Sequence, residues 1–156
     1  MPNINQSTAN VLTLEKLGIR VDGATKTLPA STTQTVFTVS GGSVLVTGFL
    51  ATVTTVIQAQ ANAMKYSGHY TSGTDVDLCT TVETNAAEVG ASFVLPALVT
   101  SALQKALSGA NNLPACSVVL KAGSTILQNC AATNTGSIQH TLWYIPLDPG
   151  AAVAAN

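Results

Sequence analysis

Residues 34–58 limit what this chain can fold into more than any other stretch. Gln34-Thr35-Val36-Phe37-Thr38-Val39-Ser40 and the run from Ser43 to Gln58 are both dense in β-branched residues, and Gly41-Gly42 separates them. Such side chains lose rotamer freedom in a helix but pack well on a pleated surface, so both runs read as strands. Gly-Gly supplies positive φ without a Cβ penalty, and two strands joined by it read as a β-hairpin. In the second run Val53, Thr55 and Ile57 alternate with Thr52, Thr54 and Val56, the period of a strand. Gly48 marks an expected bulge or bend in that run.

The same texture continues along the chain. Asn62–Ser67 reads as a strand, and Gly68–Thr74 as a loop tip carrying His69 and Tyr70. From Asp75 to Thr84, Val76, Leu78, Thr80 and Val82 alternate with Asp77, Cys79, Thr81 and Glu83. Ser117–Leu120 and Thr125–Gln128 are short strands around a turn at Ala122-Gly123, and Ile138–Leu147 is a final strand. Asp22-Gly23 is a turn signal. Leu12, Leu14 and Leu17 suit either a strand or one helical turn.

The segment 91–107 supports two readings. Leu95, Leu98, Val99, Ala102, Leu103, Ala106 and Leu107 match a helical stripe, whereas Ser92-Phe93-Val94-Leu95 looks like a strand. A strand followed by a short helix near 97–107 fits both halves. The expected fold class is therefore all-β, a β-sandwich or jelly-roll-like domain of about eight strands, with that one short helix. With 156 residues and no internal linker, the chain is expected to be one domain, 1–156. A short N-terminal arm (about 1–10) and a C-terminal tail (about 148–156) flank it.

Composition narrows the functional classes. Only 8% of residues are charged, against about 25% in average globular usage. Hydrophobic residues make up 46% and aromatics only 4%, so the apolar content is largely Ala and Val, and hydroxyls and amides supply solubility. A net charge of −1 gives copies little mutual repulsion. Neutral polar groups need only a hydrogen bond when they are buried against a partner. Lys16, Arg20, Lys26, Lys65, Lys105 and Lys121 stand singly, so no basic run is available for direct nucleic-acid binding. No apolar stretch approaches the roughly 20 residues of a membrane helix, and the polar first residues lack the pattern of an export signal. The expectation is a protein made in the cytoplasm with no membrane partner.

Motifs for chemistry are scarce. His69 and His140 are the two histidines, and no Gly-x-Ser-x-Gly accompanies them. Asp75 and Asp77 would share a strand face, but no further oxygen ligands follow at a recognisable spacing. Cys79, Cys116 and Cys130 are too widely spaced for a zinc site or a disulfide framework; one bridge is open to them, and reduced thiols buried as small apolar groups are the expected reading. No phosphate-binding glycine motif is present. The reading is not an enzyme, with no catalytic residue, no metal site and no cofactor. Trp143 and Tyr144 are candidate interface anchors, although neighbours on a strand face opposite ways. Asn3 and Ile4, in the arm, are the other two candidates.

Several segments together resemble a family. They are Leu28-Pro29-Ala30, the Thr/Val-rich runs 34–58, Val76-Asp77-Leu78-Cys79, Asn129-Cys130-Ala131-Ala132-Thr133-Asn134-Thr135-Gly136 and Trp143-Tyr144-Ile145-Pro146-Leu147-Asp148. In texture these are similar to virion structural proteins of tailed bacteriophages, in particular capsid decoration (cement) proteins. The resemblance implies a sandwich or jelly-roll subunit, often a homotrimer, that binds the outer capsid surface and bridges major capsid subunits. It transfers no individual functional residue. The alternatives are another virion part, such as a head fibre, neck or tail protein, or a carbohydrate-binding β-sandwich.

Overall fold

The computed structural model describes residues 17–107, 112–113 and 116–156. Asn3 and Ile4 lie outside them. Twelve strands are formed by the described residues: β1 (Ile19–Thr27), β2 (Thr33–Ser40), β3 (Val44–Thr55), β4 (Ala63–Tyr70), β5 (Val76–Asp77), β6 (Val82–Glu83), β7 (Ser92–Val94), β8 (Gln104–Ala106), β9 (Val118–Leu120), β10 (Ser124–Cys130), β11 (Ser137–Pro146) and β12 (Ala152–Ala155). They build two sheets. Sheet A has the order β1-β11-β3-β7-β8, with β9 also paired to β3, and sheet B has the order β12-β2-β10-β4-β5, with β6 also paired to β4. The named ladders are antiparallel.

The inner faces of the two sheets meet in one core. Alternate residues of β3 (Val44, Val46, Phe49, Ala51, Val53) and of β11 (Ile138, His140, Leu142, Tyr144) point inward from sheet A. Phe37, Val39, Met64, Tyr66 and Ile126 meet them from sheet B. Phe37 and Phe49 pack edge-on across the layers with centroids 6.2 Å apart, and Phe49 and Tyr66 at 4.6 Å. Setting aside the short extra strands, β1-β11-β3-β7 faces β2-β10-β4-β5. That order is the jelly roll: eight strands that alternate between two sheets. The expected all-β sandwich holds, with four short strands added to the eight.

Five local expectations need correction. The strands flanking Gly41-Gly42 form no hairpin: β2 pairs with β10 and β12, and β3 with β11, β7 and β9. The dipeptide instead carries the chain from one sheet to the other, with Gly41 at φ +71° against the Gly150 carbonyl. Asp22-Gly23 is no turn; it sits within β1, where one extra residue between Asp22 and Thr25 makes a bulge against β11. Strand structure within 75–84 is limited to Val76–Asp77 and Val82–Glu83. The helix near 97–107 is absent: Gln104–Ala106 pairs with Ser92–Val94 as an edge strand. Leu95 and Leu103 are buried, but Leu98 and Leu107 are each 67% exposed, so the helical stripe has no single apolar surface to meet. Finally, the expected tail contains β12, whose Val153 is buried beside Val39. The bulge foreseen at Gly48 is present, where Trp143 pairs with Gly48 but Tyr144 with Val46.

Candidate interaction faces

The buried polar groups belong to the core. His140 points inward from β11, and its Nε2 lies 3.0 Å from the Tyr66 hydroxyl on β4. Burial, with a smaller contribution from the Lys26 charge, pushes the imidazole pKa down to about 3, so it is neutral at pH 7. Burial likewise raises the Tyr66 hydroxyl well above its usual value. Cys79, Cys116 and Cys130 are free and buried, as the sequence led one to expect. Desolvation lifts Cys79 and Cys116 to about 11 and raises Cys130 as well, so these thiols are protonated and weak nucleophiles at neutral pH.

The acids flagged in the sequence each have a side-chain partner within hydrogen-bond distance. On the outer face of sheet B, Lys65 Nζ lies 2.7 Å from Asp77 Oδ2, and His69 Nδ1 lies 2.6 Å from Asp75 Oδ1. Between them Asn129 Nδ2 donates to Ser67 Oγ at 2.9 Å. The ladder registers extend this row. Thr38, Thr125 and His69 stand in one line across β2, β10 and β4, and Thr35, Leu127 and Ser67 in the next. The Asn156 side chain donates to Thr38 Oγ1 at 2.8 Å. This face is therefore a grid of hydroxyls and amides in which Lys65 is paired with Asp77 and His69 is bonded to Asp75. Among the described residues, no three His, Cys, Asp or Glu converge as a metal site. A shallow recess of about 160 Å³ lies at the margin, lined by Ala63, Lys65, Thr81, Asn129, Cys130 and Ala131.

Sheet A has a different outer face. Trp143 points outward from β11, half-buried, with the Arg20 guanidinium 5.8 Å from the ring centroid. Arg20 is held by Asp22 at 2.9 Å, and Asp22 accepts from Thr141 Oγ1 at 2.7 Å. The Thr141 hydrogen bond is the main cause that holds the Asp22 carboxyl below its usual range. Around the ring, Leu45, Leu50 and Ile145 are half-buried, and Leu113 reaches over Gly48 beside Trp143. Tyr144 faces the other way and is buried in the core, so the pair splits as strand alternation requires. As an interface anchor Tyr144 is thus unavailable: its ring packs between the sheets.

Sequence reading missed Thr35, Thr38, Thr125 and Leu127 as neighbours. Alternation within β10 placed Thr125, Leu127 and Asn129 on one side, but their pairing with β2 spans some ninety residues of chain and leaves no local signal. Comparison with protein-family models, curated proteins and solved structures finds no match. No helix among the described residues is long and apolar enough to cross a membrane.

Proposed function

We propose that this chain is a structural subunit that works by binding alone, coating the outer surface of a bacteriophage capsid and bridging its major capsid subunits. The observation that carries this reading is the outer face of sheet B. It is hydroxyl-rich, Lys65 is paired with Asp77, and His69 Nδ1 is bonded to Asp75. Burying such a face against a protein lattice leaves few side chains without a partner, and hydroxyls and amides find partners there. Many weak contacts repeated by symmetry then add by avidity. Jelly rolls occur in viral capsid domains and in lectins, so the topology alone does not choose between these uses.

The aromatic inventory disfavours a sugar-binding platform. Of seven aromatic residues, only Tyr70 and Trp143 reach the surface, and they lie in different sheets. Co-sedimentation with expanded heads and with unexpanded procapsids tests the proposal. Binding to expanded heads, with the sandwich at lattice positions in cryo-electron microscopy, supports it. Failure to bind heads, or density confined to a tail or neck, overturns it.

A further inference from the structure

The two flanks of the sandwich differ. On one, β1 and β12 come so close that a Cβ on Gly23 would stand 3.9 Å from the Ala155 Cβ. The other flank is closed at one end only. There Thr80 leaves the edge of sheet B and bridges to Ala102, Leu103 N donates to the Thr80 carbonyl at 3.0 Å, and Lys105 Nζ reaches the Glu83 carbonyl. Past this seam, β5 edges sheet B and β9 edges sheet A, and among the described residues neither has a strand on its outer side. The two edges stand at one height. Gly68 pairs with Val76, and a Cβ on Gly68 would meet Leu120 Cδ2 at 3.5 Å. They run in opposite directions, because β3 runs from the β9 end toward the seam and β4 from the seam toward the β5 end, and each edge strand is antiparallel to its neighbour. Val76 is 64% exposed and Val119 57%. Unpaired edges that carry exposed valines are templates for another strand.

We propose that a second copy of this chain docks on this flank about a twofold axis parallel to the strands, with β5 of each copy pairing antiparallel to β9 of the other. Such a rotation keeps height and strand direction, and it sets sheet B of one copy edge-on to sheet A of the other. Opposite strand directions then make both new ladders antiparallel. The register follows from the shared height: Val76 falls opposite Leu120 of the second copy, Asp77 opposite its Val119, and Asp75 opposite its Lys121. Strand alternation agrees with this register. Asp77 lies on the outer face with Lys65, and Val119 on the outer face beside Leu45, so Val76 and Leu120 both turn inward. Charge complementarity favours a second copy as the occupant. Asp75 and Lys121 are exposed, and Lys121 takes part in none of the ion pairs among the described residues. Opposite charges directly across an antiparallel pair stabilise it, and like charges destabilise it. The twofold uses both edges at once, so association closes at two copies. The proposal stands whether or not the capsid reading holds.

Sedimentation equilibrium of the full chain is expected to show monomers in exchange with dimers. The symmetry repeats each contact twice, so Lys121→Asp should weaken the dimer about tenfold. Adding Asp75→Lys to that variant should restore it. A native chain that stays monomeric up to millimolar concentration overturns the proposal, as does a dimer that Lys121→Asp leaves unchanged. Should the charge variants fold poorly, disulfide trapping decides. Chains carrying Asp75→Cys are mixed with chains carrying Lys121→Cys and oxidised. Covalent heterodimers joined between positions 75 and 121 are expected. Their absence, or crosslinks confined to like chains, overturns the proposal.

Discussion

A neutral imidazole held at a folded-state pKa of about 3 binds no proton at pH 5, whereas the same histidine in the unfolded chain titrates near 6.5. Between those values the unfolded state holds the extra proton, so stability falls as pH drops. The contribution is complete above about pH 6.5 and is lost progressively down to pH 3. The slope is roughly 1.4 kcal/mol per pH unit for one group, on the order of 4 kcal/mol over the whole span. Asp22 and Glu83 have lowered pKa values, chiefly from the Thr141 hydroxyl and the Asn62 backbone N–H respectively, so their contribution starts to fall only as pH drops into the ordinary carboxylate range and is lost below it. Urea titrations at pH 7 and pH 5 should therefore differ in midpoint for the native chain. The double variant Tyr66→Phe/His140→Leu, which removes both members of the buried pair, should show little difference over that interval. Tyr66→Phe alone strands the imidazole nitrogen and should cost about 1–3 kcal/mol at pH 7. The sequence revealed that His140 lay on a strand but not which way it faced. Alternation fixes which residues share a face, and only the partner sheet decides which face is inside.

At the scale of elements, strands were readable and their pairings were not. β-Branched density located β2 and β3, and alternation located β11, within a few residues because both are local properties. Pairing is not local, and Gly41-Gly42 serves equally well for a hairpin or for a crossing between layers. Its role in the crossing is testable. Gly90 has φ +87° with open space around it, so Gly90→Ala should cost about 1–2 kcal/mol for the left-handed conformation alone. Gly41→Ala should cost clearly more, because its Cβ meets the Gly150 backbone as well. Denaturant midpoints of the two variants check the order. The C-terminal strand escaped notice because Ala152–Ala155 is short and offers only Val153 as a buried apolar residue. Removing residues 151–156 uncovers the edge of β2 and should lower the unfolding midpoint and promote aggregation, read by light scattering.

At the scale of the whole molecule, low charge was legible from composition, and the hydroxyl grid on sheet B was not. Its rows combine residues near positions 35, 67 and 127, brought together only by the jelly-roll crossings. Leu127→Lys places an unmatched cation in the middle of that grid. Leu127 is half-buried, so the expected outcome is a folded domain with a modestly lowered unfolding midpoint and with co-sedimentation on expanded heads lost. Retained binding would move the docking surface elsewhere.

The alternation of strands between sheets also bears on how the molecule is made. Among the described residues, β2 pairs with β10 and β12, and β1 with β11. A nascent chain emerging at roughly 5–20 residues per second must therefore hold its first two strands unpaired until its final third has left the ribosome. Over those seconds β3 has short ladders with β7 and β9, and β4 with β5 and β6, while β1 and β2 still wait for their partners. Chains stalled before Ser124 should remain open to protease along β1 and β2, and release of the last thirty-odd residues should close the domain in a single step.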